Sequence, residues 1–175
     1  MMLRWRLLTL IAVGVLVPAG VKAQSSVTLR ATVSETVTLS ASPSSTPSNI
    51  VSLTLSGDDQ IIRVPLLIRS NTGFKISATF ESKTAVLSQV SVDDVRATGG
   101  LVSPQIVNSL DLKSYVDPDV SQPLLVLTGP RVSLGGTLTS PNNALEITLL
   151  IRLKSERPRE PIHLTLAATP VSLIQ

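Results

Sequence analysis

Residues 27–41 read VTLRATVSETVTLSA, and their side chains alternate between apolar and polar. Seven of the eight odd-numbered positions are apolar, with Glu35 as the exception, and none of the even-numbered positions is. A period of two is typical of a β-strand with one buried face, whereas a helix would space its apolar residues every three or four positions. Because the run is longer than the usual strand of about 5–6 residues, we expect a break near Ser34 and Glu35.

The rest of the chain repeats this pattern in short segments that turn-forming residues separate. The apolar or alternating segments are residues 50–55, 61–69, 74–80, 86–95, 124–127, 132–139, 145–153 and 162–168. They predict an all-β fold, an antiparallel immunoglobulin-like β-sandwich of about eight or nine strands. Only the stretch around Pro104 carries a helix signal, a proline at the first helical position, so we expect at most one short helix.

The segments on either side of residues 70–73 predict a hairpin. These four residues read Ser-Asn-Thr-Gly and join the apolar run of residues 61–69 to the alternating residues 74–80. Proline has no N–H to donate to a sheet, so Pro65 predicts that the first of these strands lies at an edge or contains a bulge.

The N-terminus has the three parts of a secretory signal peptide. Arg4 and Arg6 are followed by the apolar residues 7–17, and Val21-Lys22-Ala23 provides a small-residue exit. The apolar part is shorter than the roughly 20 residues of a membrane span, which favours cleavage over an uncleaved anchor. We therefore expect residues 1–23 to be removed and residues 24–175 to form a single β-sandwich domain that is secreted, periplasmic or on the cell surface.

The charge of the exported chain is balanced. Three of the 15 basic side chains lie in the signal, which leaves 12 against the 12 acidic ones. A net charge near zero gives no support for a nucleic-acid partner, and no membrane span is expected after cleavage. With no cysteine in the chain, stability must come from an aliphatic core and sheet hydrogen bonds.

Few residues are suited to catalysis or metal binding. The one histidine, His163, falls on the polar side of a predicted strand, and no Gly-x-Ser-x-Gly motif accompanies it, which argues against a serine hydrolase. One histidine without cysteine cannot supply a usual zinc site. Asp117 and Asp119 could bind calcium, but paired aspartates in loops are more often solvated turn formers. We expect no enzyme activity and no cofactor.

Two stretches of the sequence form a recognisable pattern. They are Ile-Arg-Val-Pro-Leu at residues 62–66 leading into Asn-Thr-Gly-Phe-Lys-Ile-Ser-Ala at 71–78, and Gly-Gly-Thr-Leu at 135–138 with Pro141 and a long apolar strand. This pattern resembles bacterial secreted β-sandwich proteins of the spore coat protein U and fimbrial-subunit type. The resemblance covers about residues 50–168. It implies an immunoglobulin-like sandwich, and in some members assembly by a chaperone and usher with donation of an N-terminal strand to a neighbouring subunit. This chain lacks the cysteine pair and the C-terminal aromatic residue common in such pilins.

Three functions remain open at this point. The first is a non-enzymatic exported structural or adhesion-type protein of the surface or envelope, including a fimbrial-like one, whose partners are proteins or further copies of itself. The second is a periplasmic or extracellular protein-binding module that acts by β-strand addition, and the third is a cryptic enzyme. The candidate strand-donor or interaction segment is Val27, Leu29, Ala31 and Val33, which either completes its own sandwich, the favoured form, or inserts into another copy.

Overall fold

The computed structural model describes residues 34–41, 46–55, 60–82, 86–98, 102, 104–132, 144–154 and 161–171, all within one compact unit, Val33–Gln175. These residues form two antiparallel five-stranded sheets that pack face to face around an aliphatic core, with one short helix. The expected all-β sandwich is confirmed. The predicted signal peptide, residues 1–23, lies outside the described residues.

Sheet A has the strand order β1 (Val37–Ser40), β3 (Ile61–Ser70), β9 (Ala144–Leu153), β5 (Leu87–Thr98) and β7 (Tyr115–Val116). Sheet B has the order β2 (Ile50–Leu55), β10 (Ile162–Val171), β4 (Gly73–Glu81), β8 (Leu124–Gly129) and β6 (Asp111–Leu112). Helix α1 (Pro104–Asn108) begins at the predicted proline. The described part holds ten strands, which are eight of the predicted segments and the two-residue strands β6 and β7. The predicted strand at 132–139 lies, except for Val132, outside the described residues.

Strand β9 shows how alternation builds the core. Ile147, Leu149 and Ile151 are fully buried between the sheets, while Thr148 is half-buried and Arg152 is exposed on the outer face. The inward face predicted from the sequence is therefore confirmed.

Leu150 lies on the outer face of β9, where alternation predicts an exposed side chain. Only 6% of its surface is accessible to solvent. Its Cα partner on β3 is Arg63, whose Nε donates to Asp93 Oδ2 on β5 at 3.0 Å. Because β3 and β5 flank β9, this ion pair spans the outer face of β9. Alternation alone predicts position 150 to be open, so its burial is a finding of the structure.

The predicted hairpin of residues 61–80 is wrong. Strand β3 belongs to sheet A and β4 to sheet B, so the turn between them carries the chain across the sandwich. Asn71 extends the β1–β3 ladder instead of closing a hairpin: its N–H donates to Thr36 O at 3.2 Å, its Oδ1 accepts from the Thr36 N–H at 2.7 Å, and its Nδ2 donates to Ser34 O at 2.8 Å. A hairpin turn and a crossing turn use the same residue types, so the sequence did not separate them.

Pro65 lies at a position of β3 whose backbone N–H would face no described strand. The described pairing of β1 with β3 ends at Leu67, so β9 is the described strand beside Pro65. Leu153 N–H donates to Gln60 O, and the alternation of an antiparallel ladder then points the even-numbered residues of β3 toward β9 and the odd-numbered ones away. The missing N–H of Pro65 therefore faces the unpaired side, and the expectation of an edge holds locally although β3 is an internal strand.

Candidate functional site

The lateral edges of the two sheets differ in how they are covered. At β1, Leu39 N–H donates to Ser48 O at 2.6 Å and Ser48 N–H donates to Leu39 O at 3.0 Å, which closes that edge. Beside β8, the Val126 carbonyl accepts from the Lys113 N–H at 2.9 Å and the Leu125 carbonyl from the Tyr115 hydroxyl at 2.8 Å. Two of the four edges are thus largely satisfied by local contacts.

The outer edge of β5 is longer but carries charge and irregular geometry. Strand β7 pairs only with Gln89 and Val90. Beyond them, the ladder with β9 shifts register between Val92 and Asp94, and Asp94 Oδ2 accepts from Arg96 Nε at 2.6 Å. Bulges and charged side chains are the usual means by which a sheet edge resists addition of another strand.

Strand β2 has neither of these protections. Its sequence, Ile-Val-Ser-Leu-Thr-Leu, contains no charge and no proline, and its pairing with β10 runs without a register shift. Within the described ranges, no strand lies on its other side. This is the free edge of β2.

The direction of the backbone groups along the free edge follows from one hydrogen bond. Ala168 N–H donates to Asn49 O at 2.8 Å, and the ladder register continues from that pair without interruption. Alternation then directs the N–H and C=O groups of the odd-numbered residues toward β10 and those of Ile50, Ser52 and Thr54 outward. Ser48 Oγ accepts from the Ile50 N–H at 3.2 Å, whereas no hydrogen bond from the described residues to the outward groups of Ser52 and Thr54 is seen.

The side chains of β2 suit an additional strand. Val51, Leu53 and Leu55 pack against the core but stay half-buried, and no described strand covers them from the open side. On the outer face, Ile50 is 52% exposed. An added extended segment would cover both sets while its backbone paired with the outward groups.

A shallow cleft of about 730 Å³ lies at the end of β4 and the start of β10. Its walls include Phe80, Glu81, Asp119, Val120, Pro161 and His163. On the sheet surface, His163 stands between Thr54 and Glu81, its Cα partners on β2 and β4. The distance from Thr54 Oγ1 to His163 Nδ1 is 3.3 Å, long for a hydrogen bond that would activate a nucleophile, and all three residues are exposed.

We expect His163→Ala to change the free energy of unfolding by no more than about 0.5 kcal/mol, because the side chain lies on an open strand surface. Urea denaturation of the purified variant and its parent measures this. Biological activity should also stay within a few-fold of the parent. A loss of about a hundredfold or more in a stably folded variant would instead indicate catalysis through the cleft.

Asp117 and Asp119, the two candidate calcium ligands, form other interactions in the structure. The Asp117 carboxylate forms an ion pair with Lys154, and Asp117 itself has a positive φ of 49°. The Ser121 backbone N–H donates to Asp119 Oδ1 at 3.0 Å and, with the Ser121 side chain, holds the pKa of Asp119 below its usual range. In the part of the chain that the structure describes, no group of three or more acidic, histidine or cysteine side chains is placed to hold a metal ion.

The strand-donor candidates Val27, Leu29, Ala31 and Val33 lie outside the described residues, so their role stays a prediction. Among the residues with a described structure, no helix has the length and apolar character to cross a bilayer. The sequence predicts a strand at residues 50–55 but not its free edge. The absence of charge and proline is visible in the sequence, whereas the absence of a described neighbouring strand is not.

Comparison with known proteins finds no family model, no curated protein and no solved structure that matches this chain.

Proposed function

We propose that this chain is a non-enzymatic exported protein of a bacterial surface or envelope, and that it acts by binding an extended protein segment as an added β-strand at the free edge of β2. The observation that carries the proposal is the contrast between edges: β2 is regular and uncharged, while β5 carries register shifts and ion pairs. Exposed regular edges promote unwanted association, and native proteins usually block them. Because the edge of β5 in the same protein is protected, the unprotected edge of β2 is best explained by a role in binding.

The side chains of β2 define which residue types the added strand needs on each face. It needs apolar residues on one face to extend the row of Val51, Leu53 and Leu55, and small or polar residues on the other face beside Ser52 and Thr54. Main-chain hydrogen bonds would supply affinity, and the alternate side chains would supply selectivity. The signal peptide and the resemblance to spore coat and fimbrial-type proteins favour a surface or envelope setting, with the sandwich grouped among immunoglobulin-like folds.

Binding of two labelled peptides to the exported protein tests this proposal by fluorescence anisotropy. One peptide spans residues 26–34 and the other residues 49–56, and both alternate as the edge requires. Ser52→Pro removes an outward N–H without removing a bond to β10, so we expect it to weaken binding of at least one peptide by about tenfold or more. Ser52→Ala keeps the N–H and is the matched control, which should bind like the parent.

Two results would contradict strand addition at this edge. In one, neither peptide binds the parent protein at concentrations where sedimentation velocity shows it to be monomeric. In the other, Ser52→Pro and the parent bind equally well although circular dichroism shows both to be folded. Either result would show that the protein does not bind an extended segment at the free edge of β2.

A further inference from the structure

We infer that the strand added to β2 is β2 of a second copy of this chain, so that two chains form a twofold-symmetric dimer through one continuous sheet. This inference rests on the strand addition proposed above and names its partner. A twofold interface brings the same surface patch of both copies together, so each patch must be complementary to itself.

The outward-pointing N–H and C=O groups of β2 are complementary to those of a second copy. Antiparallel pairing centred on Ser52 places Ser52 opposite its own counterpart, and Ile50 opposite the second copy's Thr54. These are the three residues whose N–H and C=O groups point away from β10. Each outward donor then faces an outward acceptor of the other copy, with the Ile50 N–H exchanging its bond to Ser48 Oγ for one across the interface.

The side chains match in the same register. On the core side, Val51 lies beside the second copy's Leu53, so the half-buried apolar rows of the two copies join. On the outer side, Ile50 lies beside the second copy's Thr54, a pairing of two β-branched residues that suits adjacent strands. The 52% exposure of Ile50 in the single chain would fall on dimerisation.

The charges also allow self-pairing. Strand β2 contains no charged residue, so the pairing places no like charges opposite each other. The exported chain has equal numbers of acidic and basic side chains, which keeps long-range repulsion between copies low. One β2–β2 contact satisfies two free edges at once, whereas insertion of residues 26–34 into a neighbour satisfies one.

Charge substitutions at the centre of this register test the dimer. Ser52→Lys would place two lysines directly opposite each other, and Ser52→Glu two glutamates, so each variant alone should self-associate about tenfold or more weakly than the parent. Mixing the two variants places a lysine opposite a glutamate and should restore a dimer that contains one copy of each. Sedimentation velocity over micromolar to submillimolar concentrations measures association, and native mass spectrometry identifies the mixed dimer.

Ser114→Lys is the matched control, because Ser114 is exposed in the connection between β6 and β7, away from β2. It should dimerise like the parent, and circular dichroism should show all variants folded. A parent that stays monomeric, a Ser52→Lys variant that dimerises like the parent, or a mixture without mixed dimers would each overturn the inference. If a peptide still binds and Ser52→Pro weakens that binding, strand addition stands and only the second copy as partner is rejected.

Discussion

Replacing Ile147 with alanine is expected to lower the free energy of unfolding by about 2–5 kcal/mol. Ile147 is fully buried in β9, between Leu66 on β3 and Val95 on β5. The truncation removes apolar atoms from a close-packed interior and leaves a cavity that the surrounding sheets fill only in part. Urea denaturation of the purified variant and its parent, followed by circular dichroism, measures the loss.

Thr148→Ala is the matched control for Ile147→Ala, because the neighbouring side chain points to the outer face and is half-buried. Its expected cost is well under that of Ile147→Ala, about 0.5 kcal/mol. Leu150→Ala should fall between the two, since Leu150 lies on the outer face but is only 6% exposed. Equal losses at positions 147 and 148 would refute the assignment of the inner face.

Gly129→Ala is expected to destabilise the fold by about 1–3 kcal/mol, by overpacking the end of β8. A Cβ atom at this position would lie 2.6 Å from Leu110 Cδ2 and 2.7 Å from Phe74 Cζ. Leu110 can turn its terminal methyl away, but the Phe74 ring is 1% exposed and lies in the core cluster. The ring has little room to move, so the backbone or the packing must shift.

A double-mutant cycle with Phe74→Leu checks that cause. The shorter side chain makes room for the added methyl group, so Gly129→Ala should cost less in the Phe74→Leu background than in the parent. Thermal denaturation of the four proteins gives the comparison. The steric account fails if the cost is the same in both backgrounds, or if Gly129→Ala leaves the parent unchanged.

The free edge of β2 also bears on the solubility of the protein. A regular uncharged strand without a neighbour is a site for uncontrolled pairing. Pairing centred on Ser52 would close both edges of a dimer and stop further addition there, because no second β2 remains free. The proposed twofold contact would therefore also limit aggregation through this edge.

The sequence by itself determined which side of β9 and of β10 faces the core. The apolar odd-numbered residues of β9 from Leu145 to Leu153 are buried, and so are Ile162, Leu164, Leu166 and Ala168 of β10. This information is local, because successive side chains of a strand point to opposite faces whatever the neighbouring strand is. Helix α1 was predicted for the same kind of reason, from the proline at its first position.

Only the tertiary structure decided which strands are neighbours. Val51 pairs with Leu166, more than a hundred positions away, and the segment after β3 crosses to the other sheet although its residues suit a hairpin equally well. The place of Leu150 opposite Arg63 and the open side of β2 also depend on such pairings. Strand pairing is set by the summed packing and hydrogen bonding of residues distant in the chain, and the period-two pattern is the same whichever partner a strand has.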